Sequence, residues 1–210
     1  GSRHADPESS SMFSGRAALS PAARGILDEL RLRSGTGGRT AVTGLGTRLK
    51  TERIQIMEGP EGAKPLDLRQ LSGRVEIDRD NLTARAEAGL SFEELARQFR
   101  EAGFYLDLPA LKGSVGGLIA SKTCPDIRAS LLGLEVALAD GSLLGLGGKT
   151  VKNVAGYDAV KLFCGSFGAY GVILAATFAL SAGQAPARGG FHERPDWDAF
   201  EPDAIHRRLK

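Results

Sequence analysis

A chain of 210 residues, 42 % of them hydrophobic, is long enough for one domain or two small lobes around a sizeable core. Its net charge of +2, from 27 basic against 25 acidic residues, leaves no single-sign surface for nucleic acid or an anionic membrane. No apolar run nears the ~20 residues that span a bilayer and no basic-then-apolar leader opens the chain, so the expected placement is cytoplasmic, or peripheral to the inner membrane face through a complex. Cys124 and Cys164 fit neither a disulfide framework nor a Cys-x-x-Cys metal site, and read as reduced core thiols.

Residues 1–11 are polar and aperiodic, an expected tail or expression scar ahead of Met12. Ser20 and Pro21 read as N-cap and first position of a helix through Ile26, Leu27, Leu30 and Leu32, stopped by the glycines after Ser34. Thr40 to Thr43 reads as a short strand entering Gly44-Leu45-Gly46-Thr47, a turn whose amides can cradle a phosphate and whose Thr47 adds a hydroxyl. It is not the Rossmann fingerprint, which needs glycine where Leu49 stands. Arg53 to Met57 alternates as a further strand.

Arg74 to Asp78 and Leu82 to Ala88 alternate in period two around Arg79-Asp80-Asn81, predicting a hairpin with one face buried. Ser91-Phe92-Glu93-Glu94 has the form of a capping box, opening a helix with Phe92, Leu95, Ala96 and Phe99 on one side and Gly103 at its end. The central stretch, Leu111 to Ser121, packs Gly113, Gly116 and Gly117 ahead of a short apolar helix, where amides and the positive helix end suit an anion. Leu132 to Leu138 turns at Asp140-Gly141 into Ser142-Leu143-Leu144. Gly145 to Thr150 fails as a nucleotide-triphosphate loop because Leu143 stands where its first glycine belongs. Asp158 reads as the cap of a helix through Ala159, Leu162 and Phe163; the loop from Gly165 to Gly171 then feeds a final strand, Val172 to Leu180. The rest, rich in Gly and Pro, is a linker and tail.

Any one of these glycine loops alone reads as a tight turn. Taken in order, with Lys152-Asn153-Val154-Ala155-Gly156-Tyr157-Asp158, Leu162 and Gly165-Ser166-Phe167-Gly168-Ala169-Tyr170-Gly171-Val172-Ile173, they resemble the flavin-binding domain of the vanillyl-alcohol oxidase and p-cresol methylhydroxylase superfamily. The match runs from Arg39 to Leu180 and is most similar to flavin subunits of bacterial glycolate oxidase and to D-lactate dehydrogenases. The resemblance implies an α+β fold with a small α/β lobe (12–71), a larger lobe with a mixed or antiparallel sheet and flanking helices (73–181), and FAD in the groove between the lobes; residues 182–210 read as a linker and tail, and the cap domain that the resembled oxidases carry is not expected within these 210 residues, whether the protein is natively capless or continues beyond them. By similarity, Thr43, Gly44, Leu45, Gly46, Thr47 and Gly113, Ser114, Val115, Gly116, Gly117 surround the pyrophosphate. Gly89 and the main chain of Gly171, Val172 and Ile173 line the rest, and Pro109, Ser114 and Val115 lie toward the flavin. Leu45 departs from the glycine usual at its position. Valine at Gly116, set against the pyrophosphate, is expected to remove FAD without unfolding the chain.

Covalent flavin attachment in the superfamily uses a histidine, cysteine or tyrosine. His4, His192 and His206 lie outside the match, so the expected FAD is noncovalent; no metal site is expected, and Cys124 is read as structural. The chemistry of a 2-hydroxy acid oxidase calls for a base and carboxylate-binding cations beside the flavin. The matched charges, Arg48, Lys112, Lys122, Asp126, Arg128, Lys149, Lys152 and Asp158, suit solvated or capping roles equally, so no catalytic residue is assigned; Lys152 and Asn153 stand next as substrate-side groups. The implied function is the FAD-binding subunit of a glycolate oxidase-like 2-hydroxy acid oxidoreductase, active only within a complex. Its implied partners are a small 2-hydroxy acid and other oxidase subunits, including a second flavin subunit and an iron–sulfur subunit. The alternatives are a non-catalytic scaffold with a degenerate flavin site, and an unrelated phosphate-ligand protein.

Overall fold

A computed structural model describes residues 18–37, 40–45, 64–73, 75–124, 126–147 and 159–184. The expected strand at Arg53 to Met57, Gly46, Thr47, the Lys149 to Asp158 stretch and both termini lie outside these residues. Helix α1 (Pro21–Gly35) begins where Ser20 accepts the Ala23 amide and Pro21 presets the first turn. It buries Ala23, Ile26, Leu27 and Leu30. Leu32, expected on the same face, is 73 % exposed, because it falls two residues past Leu30 and so on the far side of the helix.

Strand β1 (Thr40–Thr43) pairs in parallel with β2 (Lys64–Asp67), Val42 opposite Leu66. Arg33, in the last turn of α1, holds this pair: it donates to the Lys64 and Pro65 carbonyls, each at 2.8 Å, and is ion-paired with Glu29. The main sheet is antiparallel throughout, built from β3 (Val75–Asp78), β4 (Thr83–Glu87), β6 (Leu131–Ala137), β7 (Leu143–Gly147) and β8 (Val172–Ala179) in the order β3-β4-β8-β6-β7. Both expected hairpins form. Asp78 accepts from the Asn81 backbone and side chain in the first turn, and Asp140 accepts from the Ser142 amide and hydroxyl in the second. Gly141 (φ +76) lets that second turn press on α1, since a methyl there would lie 2.5 Å from the Leu27 carbonyl.

Helix α2 (Phe92–Glu101) starts where Ser91 accepts the Glu94 amide, but the box is only half closed. The Glu94 carboxylate turns to Arg97 and Gln98, which are stronger donors one turn on. The helix ends at Gly103 (φ +84), and β5 (Phe104–Tyr105) pairs with β9 (Ser181–Ala182). Helix α3 (Val115–Ser121) follows the central glycine stretch and packs on β8 and β4; α4 (Ile127–Ser130) and α5 (Val160–Phe163) complete the described helices. In α5, the helix expected through Leu162 and Phe163, only Val160 and Phe163 are buried, while Leu162 is 61 % exposed. Cys124 and Cys164 are both free thiols, the first buried.

Candidate functional site

The glycine loops, far apart in the sequence, meet around α3. Gly44, just past β1, lies against the residue that caps this helix: a methyl on Gly44 would sit 3.0 Å from Ser114 Oγ. The third loop wraps the other end. Gly165 and Phe167 donate to the Ile119 and Ala120 carbonyls at 3.0 and 2.9 Å, and Gly168 adjoins Val42 of β1, whose Cγ2 is 3.8 Å from a methyl placed there.

The amides around this junction divide into two sets. Val115 donates to Leu90 O at 2.9 Å, Gly116 to Ala88 O at 2.8 Å, Gly117 to Ser114 Oγ at 3.2 Å and Leu118 to Ser114 O at 2.9 Å. The start of α3 is therefore already satisfied by the protein. By contrast, among the described residues no protein acceptor takes the amides of Gly44, Leu45, Gly113 and Ser114. Gly113 and Ser114 are buried residues, and a buried amide without an acceptor is unfavourable by about 1–3 kcal/mol. The arrangement suits an anion with several oxygens, held by the two loops that converge at Gly44 and Ser114. Of the amides from Gly113 to Gly117 expected from sequence to face the pyrophosphate, those of Val115, Gly116 and Gly117 are taken up within the protein, and those of Gly113 and Ser114 have no acceptor among the described residues.

Gly89, Gly116 and Gly171 serve packing. A methyl on Gly89 would lie 2.0 Å from Leu68 O and 2.8 Å from Leu71 O, so the end of β4 touches the turn after β2 backbone to backbone. On Gly116 it would lie 2.8 Å from Ala88 Cβ, and on Gly171 (φ +154) 2.7 Å from Val136 Cγ1. Val172 and Ile173 are buried in β8 opposite Ala137 and Val136, and Pro109 is half-buried in the segment leading to Gly113. Ser91 was legible as a helix cap; the capping role of Ser114, and the facing position of the two in an isolated antiparallel bridge, were not, because no local pattern encodes them. Lys112, Lys122 and Asp126 are exposed, and Arg128 donates to the Leu131 carbonyl at 3.0 Å. Lys122 ends α3 in the left-handed region (φ +47) with its stem against Gly165.

The model of a family described as FAD binding domain matches residues 30–147, more than half of the chain. The chain belongs to this FAD-binding family, of the p-cresol methylhydroxylase type. FAD is its cofactor. The chain is 33 % identical over 124 residues to glycolate oxidase subunit GlcD of Bacillus subtilis, covering 54 % of this chain and 26 % of that one. It is 36 % identical over 115 residues to a D-lactate dehydrogenase of Archaeoglobus fulgidus, covering 50 % and 26 %. To a D-2-hydroxyglutarate dehydrogenase of Xanthomonas citri pv. viticola it is 30 % identical over 175 residues, covering 79 % and 35 %. The FAD-binding chain thus spans about a quarter to a third of the length of these relatives. In structure it is similar to alkyldihydroxyacetonephosphate synthase, with a TM-score of 0.61 at 18 % identity over 75 % of this chain and 32 % of that one, a likeness of fold. Among the described residues, no helix of this FAD-binding chain is long and apolar enough to cross a membrane.

Proposed function

We propose that this chain is the FAD-binding part of a glycolate oxidase-like 2-hydroxy acid oxidoreductase, working with partner polypeptides that supply the groups holding the substrate. The observation that carries the site is the convergence of Gly44 with Ser114. The amides of Gly44, Leu45, Gly113 and Ser114, without protein acceptors among the described residues, bind the pyrophosphate of noncovalent FAD. Val115, Gly116 and Gly117 support that cradle by packing on Leu90 and Ala88, and Gly89, Val172 and Ile173 hold the strands on which it stands. Thr43 enters the turn and fixes its direction, its hydroxyl donating to Leu66 O at 3.3 Å. Gly46, Thr47, Pro109 and Gly171 complete the proposed set.

When bound, the flavin supplies a two-electron acceptor for an alcohol carbon. This chain's own residues bind and orient it through backbone donors, so the grip is insensitive to pH across the range where the protein folds. The substrate class rests on the named relatives, a glycolate oxidase subunit and dehydrogenases of D-lactate and D-2-hydroxyglutarate. Attachment to oxidase partners rests on the first of these. The deciding experiment is a visible absorption spectrum of the purified chain before and after heat release, with the released compound identified chromatographically. Releasable FAD is expected, with bleaching by glycolate or D-lactate only when partner subunits are present. A colourless chain that also refuses added FAD would move it to a scaffold role.

A further inference from the structure

Phe167 combines two features that are each unfavourable in a folded chain. Its backbone is left-handed (φ +52), a region costly for an L-residue with a Cβ and free for the glycines beside it, Gly165 and Gly168, both at φ +83. Its side chain is 51 % exposed, so the ring gains little from burial. The other two such residues among those described have local explanations: Leu82 lies in the β3–β4 turn and Lys122 ends α3. Tyr170 in the same loop is also anchored, edge-on to Phe163 with ring centroids 6.3 Å apart.

The position of Phe167 suggests what offsets this. Its amide holds Ala120 O at the C-terminal end of α3, whereas the open amides of Gly113 and Ser114 lie at the N-terminal end, about 9 Å away along a helix rising 1.5 Å per residue. That is the order of separation between a phosphate and a ring joined to it through a sugar or ribityl chain. Gly168 adjoins Val42; Val42 in β1 and Leu45 in the turn that follows it, which carries two of the open amides, both expose apolar side chains. Exposed apolar side chains on two loops that each approach the open amides, Gly168 by way of Val42 and Gly44 by way of Ser114, suit a molecule that is planar and apolar at one end and anionic at the other. We infer that Phe167 is a ligand-positioning residue whose ring stacks on an aromatic heterocycle of the bound dinucleotide, with Val42 and Leu45 walling the same side. This rests on the FAD-site reading above.

The test compares the parent chain with Phe167→Gly, Phe167→Asn and Phe167→Tyr, each stripped of cofactor, by thermal melting and by calorimetric titration with FAD, FMN and ADP. Glycine and asparagine both tolerate the left-handed backbone, so these two variants should melt no lower than the parent while binding FAD roughly five- to ten-fold more weakly, the range one aromatic stack supplies. Tyrosine should bind like the parent. Weakening confined to FMN identifies the flavin ring as the stacked one, and weakening confined to ADP identifies the adenine. Parent-like FAD binding by the glycine variant overturns the inference and leaves the site reading intact, as does a lowered melting temperature that tracks the affinity loss. A parent chain that takes up no FAD overturns the site reading itself.

Discussion

Gly44 touches the cap of α3 so closely that a methyl group on it would stand 3.0 Å from Ser114 Oγ, the atom that accepts the Gly117 amide. The two residues are therefore coupled. Gly44→Ala should force Ser114 off its capping rotamer, lowering FAD affinity about ten-fold and stability by about 1 kcal/mol, the usual worth of a cap. Ser114→Gly removes the hydroxyl, so the double variant should bind FAD more tightly than the sum of the two single effects. Titration of the four proteins measures that coupling, and strict additivity would show that the two loops act independently.

Gly116 faces Ala88, not a ligand. Its amide donates to Ala88 O at 2.8 Å, and an added methyl would lie 2.8 Å from Ala88 Cβ. The sequence-based expectation that Gly116→Val removes FAD and spares the fold is therefore replaced. Valine should lift α3 off the sheet, destabilising the chain by about 3 kcal/mol through overpacking, which lowers the melting temperature by about 6–12 °C. Ala88→Gly in the same chain should recover part of that loss. A variant that melts like the parent but loses FAD would restore the earlier reading.

What the sequence disclosed was local. The Ser20-Pro21 and Ser91 caps, the Asp78 to Asn81 and Asp140 to Ser142 turns, and the apolar β8 each depend on neighbours within a few residues, and each forms as read. β2 was missed because Lys64-Pro65-Leu66-Asp67 buries only Leu66 and owes its pairing to distant β1 and to Arg33. The glycine loops were legible as loops. Which of their amides stay open was not, since the acceptors at Ala88 and Leu90 belong to another part of the chain. Glu94 shows the same limit: its capping-box spacing is correct, yet Arg97 and Gln98 compete for its carboxylate and win it.

Arg85 reaches over β8, above the small side chains of Ala175 and Thr177, to pair with Glu135 on β6 through two bonds of 2.8 and 2.7 Å. Both side chains are buried, and the Glu135 carboxylate holds the guanidinium further toward its charged form, assisted by Glu76 and Glu87. Glu135→Ala should cost about 3–5 kcal/mol, because it leaves Arg85 buried without its bidentate partner. Replacing both, Arg85→Met with Glu135→Leu, should recover most of that. Denaturant unfolding checks the order, and a single variant as stable as the parent would mean that water or Glu87 replaces Glu135 fully. FAD affinity under native conditions should not change, since these residues occupy the sheet face opposite Ala84 and Ala86.

Glu94 offers the clearest pH dependence. Hydrogen bonds from Arg97 and then Gln98 hold its carboxyl down to about 2 in the folded chain, below the ordinary 4.5. A carboxyl whose folded value is depressed stabilises the fold above its unfolded value, and that contribution is lost as pH falls toward the folded one. The window is therefore between about pH 4.5 and 2, with Asp140 and Asp67 shifted in the same direction by hydrogen bonds from Ser142 and Arg69. Glu94 is only half-buried and its ion-pair partner Arg97 lies at the surface, so its effect is small and salt-screened. The melting temperature of Glu94→Gln should lie slightly below the parent at pH 6 and converge with it by about pH 2, more visibly at low salt than at high. Parallel melting curves through that window would show that the Arg97 pair contributes nothing to the folded state.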